Sequence, residues 1–246
     1  MPIQQTSAIV IHVADQGESD KLVTFYSPLA GNFKAIAKGA KRSIKRFVNK
    51  LELFSFLSIS YHDQYSIPLL SDADLINSHL TLRYNYTSYI QAILICELVR
   101  NWTHENDGDE ILFRYIIWIF SQLNSNRNSN NHLLLFLVKF YTQLGYQPNI
   151  STCSSCGQLN PQISPFSFRP SIGGILCKKC SSEPNPIIPL TISTLKLLQK
   201  AFVMPTNKLN RLHFTSKSKA EALHFFKRYD RFLLDRELHS WGFITQ

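Results

Sequence analysis

Residues 153–180 read CSSCGQLNPQISPFSFRPSIGGILCKKC, two Cys-x-x-Cys knuckles (Cys153/Cys156 and Cys177/Cys180) separated by twenty residues. This is the spacing of a four-thiolate zinc site. Two thiolates two residues apart reach one ion from a tight turn, and the segment between the pairs must fold back as a short ribbon for the tetrahedron to close. Four protein ligands leave no position for water, so the expected zinc is structural and activates no nucleophile. Gly157, Gly173 and Gly174 supply the permissive backbone that such turns need. The competing readings are a pair of disulfides, a thiol redox site, or a ribbon that has kept its fold without metal. Disulfides need an oxidising compartment. The N-terminal MPIQQTSAIVIHV has neither a basic leader ahead of its apolar stretch nor a small-residue cleavage site, so a cytoplasmic chain is expected. Cys96, within YIQAILICELV, falls on the apolar face of a helix and reads as a core thiol.

A second chemistry is carried by charge. The chain holds 26 Lys and Arg against 17 Asp and Glu, a net charge of +9, which favours a polyanionic partner. Of the eight basic residues in the first eighty, seven fall in KAIAKGAKRSIKRFVNK (34–50), which contains no acid. Lys34, Lys38, Lys41, Arg42, Lys45, Arg46 and Lys50 are the expected phosphate contacts, with Phe33 and Phe47 as possible stacking platforms for bases. The bland alternatives are a solvated basic loop and two core rings. The ten basic residues beyond position 190 crowd into 196–236, whereas residues 79–150 balance five against five. Lys217, Lys219, Lys227, Arg228, Arg231 and Arg236 could extend a nucleic-acid surface or receive an acidic peptide; a solvated helix face is an equal reading.

The elements that must position these groups change character along the chain. TSAIVIHV, DKLVTFYS, GNFKAIAKG, LELFSFLSISY and YSIPLLSDADLI are β-branched or aromatic runs, several of them alternating, divided by Gly, Pro, Asp and charged loops. Five short strands in residues 1–78 predict a small barrel such as an OB-fold, with 38–50 as the loop between the third and fourth strands. From 79 onward the apolar period becomes three to four, so 79–246 reads as a helical domain. The zinc module (151–182) is inserted in it. The acids of DGDE suit a helix start and Gly145 a stop; NSNRNSNN (124–131) reads as a helix connection and EPNPIIP as a break. The fold class is therefore multidomain α+β. No apolar run reaches the roughly eighteen residues of a spanning helix, so no membrane role is expected.

Recognisable catalytic signatures are absent: there is no phosphate loop, Rossmann fingerprint, nucleophile elbow or His-Glu-x-x-His. A metal-dependent nuclease would need gathered carboxylates. Asp63, Asp72 and Asp74 are the nearest approach, and turn chemistry explains them better. His12 and His224 read as structural or surface residues.

GESDKLVTFYSPLAGNFKAIAKGAKRSIKRF (17–47) followed by LELFSFLSISY resembles the N-terminal signature of the RecO family of bacterial recombination mediators. CSSCG with FSFRPSIGGILCKKC resembles the family's zinc segment, and FFKRYDRFLLDRELHS its last helix. LELFSF departs from the family's Leu-Gln-Pro-Phe wording. The resemblance implies an OB-fold followed by a helical domain holding a zinc module, and a function without catalysis. It also implies binding of single- and double-stranded DNA, annealing of complementary strands, contact with the acidic tail of single-stranded-DNA-binding protein, and loading of RecA together with RecR. The alternative is an OB-fold adaptor for RNA or a protein partner that does not anneal DNA.

Overall fold

The computed structural model describes residues 3–125, 131–158, 166–181 and 188–244; most of the NSNRNSNN tract and of the EPNPIIP break lies outside them. Its contacts resolve two compact units, Met1–Arg127 and Asn128–Gln246.

In the first unit, β1 (Gln4–Gln16), β2 (Asp20–Ser27), β3 (Gly31–Ala37), β4 (Phe56–His62) and β5 (Leu69–Asn77) close into a barrel in the order β1-β2-β3-β5-β4. All pairings are antiparallel except β3 with β5, which meet in parallel at Ile36 and Leu69. The two-residue period of a strand sorts the side chains. On β3, Phe33, Ala35 and Ala37 are buried while Lys34 is exposed, as is Lys38 in the turn that follows; on β4, Leu57, Ile59 and Tyr61 are buried. These residues join Val23, Phe25, Leu70 and Ala73 in one core, to which Phe47 and Leu51 contribute from the loop between β3 and β4. Each large side chain so buried contributes about 2 kcal/mol.

The fourth strand begins at Phe56, later than the run LELFSFLSISY predicts. The physical reason is local: Phe54 has a φ of 70°, and its amide donates to the Val10 carbonyl at 2.9 Å while the Val10 amide donates to Ser55 O at 3.0 Å. That exchange joins residues 54–55 to β1 at the point where the β1–β2 register shifts.

Three helices follow: α1 (Leu80–Tyr84), α2 (Tyr86–Trp102) and α3 (Glu110–Asn124). The periodic run from 78 to 103 is divided at Asn85, which caps α2 by accepting from the Ser88 amide at 2.9 Å. Asp109, from the DGDE acids, caps α3 by accepting from the amides of Ile111 and Leu112. The change from strand to helix falls between Asn77 and Leu80, but α1, α2 and α3 belong by contact to the barrel's unit. Phe54 and His79 pack their rings on Phe120 of α3, and Tyr26 and Phe56 pack on Phe113. Gly31 turns the chain between β2 and β3 at a φ of 66°, and a Cβ there would collide with the His104 carbonyl oxygen.

The second unit comprises α4 (His132–Gln143), β6 (Asn149–Cys153), β7 (Phe166–Arg169), β8 (Gly174–Leu176), β9 (Ile188–Leu190), α5 (Ile192–Val203), α6 (Ser216–Leu234) and α7 (Trp241–Ile244). The strands form one sheet, β6-β8-β7-β9, placed in the chain between α4 and α5. Residues His132–Tyr141 of α4 are all buried. Tyr141 stacks on Phe226 of α6, and Phe168 of β7 meets Phe225 and Tyr229 edge to face, so the small sheet is seated on α6 by rings. Two polar clamps fix α5. Glu221 accepts from the Thr191 amide and from the Thr191 and Thr194 hydroxyls at its start, and Lys139 donates to the Phe202 and Met204 carbonyls at its end.

Candidate nucleic-acid interface and metal centre

The four knuckle cysteines converge. Their sulfurs all lie within 4.8 Å of one another, with Cys156 and Cys177 at 3.9 Å. A tetrahedral ion with Zn–S bonds of about 2.3 Å needs sulfurs about 3.8 Å apart, so the arrangement fits a four-thiolate ion. The turns are built from backbone. Gly157, at a φ of 70°, donates to Cys153 O at 2.8 Å, and the Cys180 and Ser181 amides donate to Cys177 O at 2.9 and 3.0 Å. Burial pushes the Cys153 thiol up, but amides of Cys156, Cys177 and Ser155 outweigh it and bring the group below its ordinary value. All four cysteines are free of disulfides.

The basic loop is fastened at both ends to the barrel. Asp20 accepts from the Gly39 amide at 2.8 Å, and that backbone bond, followed by one from the Ser19 hydroxyl, holds its carboxyl below the usual range. A single 3-10 turn, Ala40–Arg42, follows. The Lys41 amide donates to Ser19 O at 2.9 Å, and its ammonium pairs with Asp15 at 2.9 Å and donates to Gly17 O at 3.1 Å. The Arg46 guanidinium lies 4.4 Å from the Phe47 ring centroid and donates to Lys38 O at 3.0 Å. Lys50 donates to Ala73 O at 2.6 Å and pairs with Asp74 at 3.6 Å. The seven predicted cations therefore divide. Lys41, Arg46 and Lys50 hold the loop, while Lys34, Lys38, Arg42 and Lys45 are exposed and form no ion pair among the described residues.

Phe33 and Phe47 correct the sequence reading. At 6% and 3% exposure, both rings belong to the barrel core and cannot serve as open platforms. Phe33 sits on the inward phase of β3, and Phe47 is the apolar anchor that draws the loop onto the barrel.

The carboxy-terminal cations are less uniform. Lys227 and Arg231 share Glu237 at 3.0 and 3.5 Å, and burial pushes the Lys219 ammonium down. Lys217, Arg231 and Arg236 are exposed, and Arg228 is half-buried. The three acids weighed as nuclease ligands do not gather: among the described residues, the one cluster able to share an ion is the four cysteines. Asp72 accepts from the Ala73 amide, and Asp74 faces Lys50. His12 is half-buried on β1, its imidazole pushed down by burial and then by Arg100 and Lys34.

A positioning residue escapes the sequence reading. Arg83 of α1 donates to Leu53 O, Ser55 Oγ and Ser78 O at 3.0, 3.0 and 3.2 Å, fixing the end of the loop ahead of β4. No motif marks it, because its partners lie in other elements. Among the described residues, no helix is long and apolar enough to cross a membrane.

Two family profiles match the chain: Recombination protein O N terminal over residues 1–79, and Recombination protein O C terminal over residues 83–242. A DNA repair protein RecO of Syntrophobacter fumaroxidans is 29% identical over 246 residues, covering 100% of this chain and 98% of that protein. The DNA repair protein RecO of Desulforamulus reducens is 27% identical over 248 residues, covering 100% and 95%. That of Desulfatibacillum aliphaticivorans is 30% identical over 206 residues, covering 80% and 79%.

Proposed function

The chain belongs to the recombination protein O family, and from that premise we propose that it acts in DNA repair as a non-enzymatic mediator that binds DNA and anneals complementary strands. The observation that carries this reading is the acid-free segment 34–50 of a closed barrel, whose exposed cations Lys34, Lys38, Arg42 and Lys45 form no ion pair among the described residues. Annealing must overcome the repulsion of two polyanions. Unpaired cations lower it by replacing condensed counterions on both strands, which requires positioning and no bond cleavage. Lys41, Arg46 and Lys50 keep that surface in place and add charge at its edge.

In this reading the four cysteines hold one zinc ion as a structural cross-link of the small sheet. The cations of α6 and of the segment after it, Lys217, Lys219, Lys227, Arg228, Arg231 and Arg236, form a secondary surface for DNA or for the acidic tail of single-stranded-DNA-binding protein. RecR and, indirectly, RecA are the further partners, and the protein works in the cytoplasm at the nucleoid. Residues 1–78 carry the DNA-binding barrel, 79–246 the helices, of which α1–α3 pack in the barrel's unit, and 151–182 the zinc module.

The test is annealing of complementary strands coated with their cognate single-strand-binding protein, without nucleotide, by the native protein and by Lys38/Arg42/Lys45→Ala. Salt-sensitive annealing that the variant loses is expected. Native protein that neither binds nor anneals these strands overturns the mediator reading; equal annealing by the variant moves the site off the loop.

A further inference from the structure

A cleft of about 320 Å³ opens in the barrel's unit where the β4–β5 connection meets the start of β3 and the segment after α2. Phe33, Lys34, Tyr61, Asp63, Tyr65 and Glu105 are among the residues that line it. Phe33 and Tyr61 are nearly buried, with ring centroids 5.1 Å apart, and make an aromatic floor. Tyr65, in the connection, is 57% exposed. The walls are tied to β3 by backbone: Ile36 donates to Pro68 O at 2.8 Å, Asn106 donates to Ala30 O at 3.0 Å, and Gly31 bridges Glu105. The cleft is thus a preformed feature of the fold, of the size range of small-ligand sites.

Its chemistry is unlike that of the basic loop. Two carboxylates, Asp63 and Glu105, would repel a phosphate, so the strand's backbone is the wrong occupant. Carboxylates accept hydrogen bonds, and the exocyclic amino groups of cytosine, adenine and guanine donate them; thymine has no such group. An open tyrosine offers a stacking face to any unstacked base. Burial, and then the Asp63 charge, push the Tyr61 hydroxyl up, so it remains a neutral donor. Lys34 lies at the cleft, and Lys38, exposed in the turn that follows β3, is the next cation toward the basic loop.

We propose that this cleft receives one nucleobase bearing an exocyclic amino group, stacked on Tyr65 and hydrogen-bonded to Asp63 or Glu105, while the strand's phosphates run past Lys34 and Lys38 to the basic loop. The proposal rests on the DNA-binding reading and supplies the stacking platform that Phe33 and Phe47 cannot. The test uses the full chain and dT-tract oligonucleotides carrying one 2-aminopurine, read by fluorescence, with anisotropy reporting affinity for dC and dT tracts separately. The native protein and Tyr65→Phe should quench the probe on binding. Tyr65→Ala should not, and should bind dC tracts about fivefold or more weakly, the low end for one stacked base. The native protein should favour dC over dT tracts, a preference lost in Asp63→Ala/Glu105→Ala. Salt-dependent DNA binding with no quenching, equal quenching by Tyr65→Ala, or equal affinity for the two tracts would overturn the cleft as a base site while leaving the DNA reading intact. Absence of DNA binding by the native protein would remove both.

Discussion

Asp230 is fully buried on α6, and its carboxylate accepts from the Tyr141 hydroxyl at 2.7 Å and from the Trp241 indole at 2.9 Å. The side chain thereby joins α4, α6 and α7 of the second unit. Burial, and then the Asp230 charge, push the Tyr141 hydroxyl far above its ordinary range, so it stays a donor. Removing the carboxylate takes an acceptor from both donors, at about 1–3 kcal/mol each. Asp230→Ala should therefore destabilise the second unit by about 3 kcal/mol, and Asp230→Asn by less, since one amide oxygen can still accept. Urea denaturation followed by tryptophan fluorescence measures the difference. Equal midpoints for native protein and Asp230→Ala would show that the network contributes nothing net.

Among the elements, alternation and the change of period made the barrel and the helices legible, because a strand buried on one face writes its geometry into every second residue. The same alternation carried a signal that the charge pattern obscured: Phe33 shares its phase with Ala35 and Ala37, and so faces the core. The late start of β4 and the cap at Asn85 were not legible, since they depend on bonds to Val10 and on a single side chain inside a continuous apolar pattern. The convergence of the four cysteines was legible because their spacing is itself the constraint. The seating of the small sheet on α6 through Phe168 was not. In the proposed reading the metal acts locally, on the small sheet whose strands carry the knuckles. Cys177→Ser should release the ion and expose the amides of β6, β7 and β8 to hydrogen exchange, with barrel amides unchanged and DNA affinity nearly so, because a closed site contributes folding free energy locally. Elemental analysis of freshly purified, reduced protein should give one zinc per chain, and its absence would remove the cross-link from the account.

For the molecule as a whole, the net charge of +9 says only that a polyanion is favoured; which cations act depends on where the acids fall in space. Asp15 and Asp74, from β1 and β5, meet Lys41 and Lys50, whereas Lys34, Lys38, Arg42 and Lys45 meet no acid in an ion pair among the described residues. A sequence shows seven equivalent cations, because pairing across strands is a property of the closed barrel. Salt dependence can distinguish the two groups. Each phosphate neutralised on a single strand contributes a slope of about −0.7 to the logarithmic dependence of affinity on salt. Lys38/Arg42/Lys45→Ala should flatten the slope by about 2, taking one phosphate per residue. Lys41/Lys50→Ala should flatten it less, because each of these ammonium groups already has a carboxylate to release. That second variant should instead loosen the loop, lowering its thermal stability and its protection from proteolysis. Equal flattening by the two variants would mean that the ion pairs dissolve on binding, and that the whole loop, rather than its unpaired half, reads the phosphates.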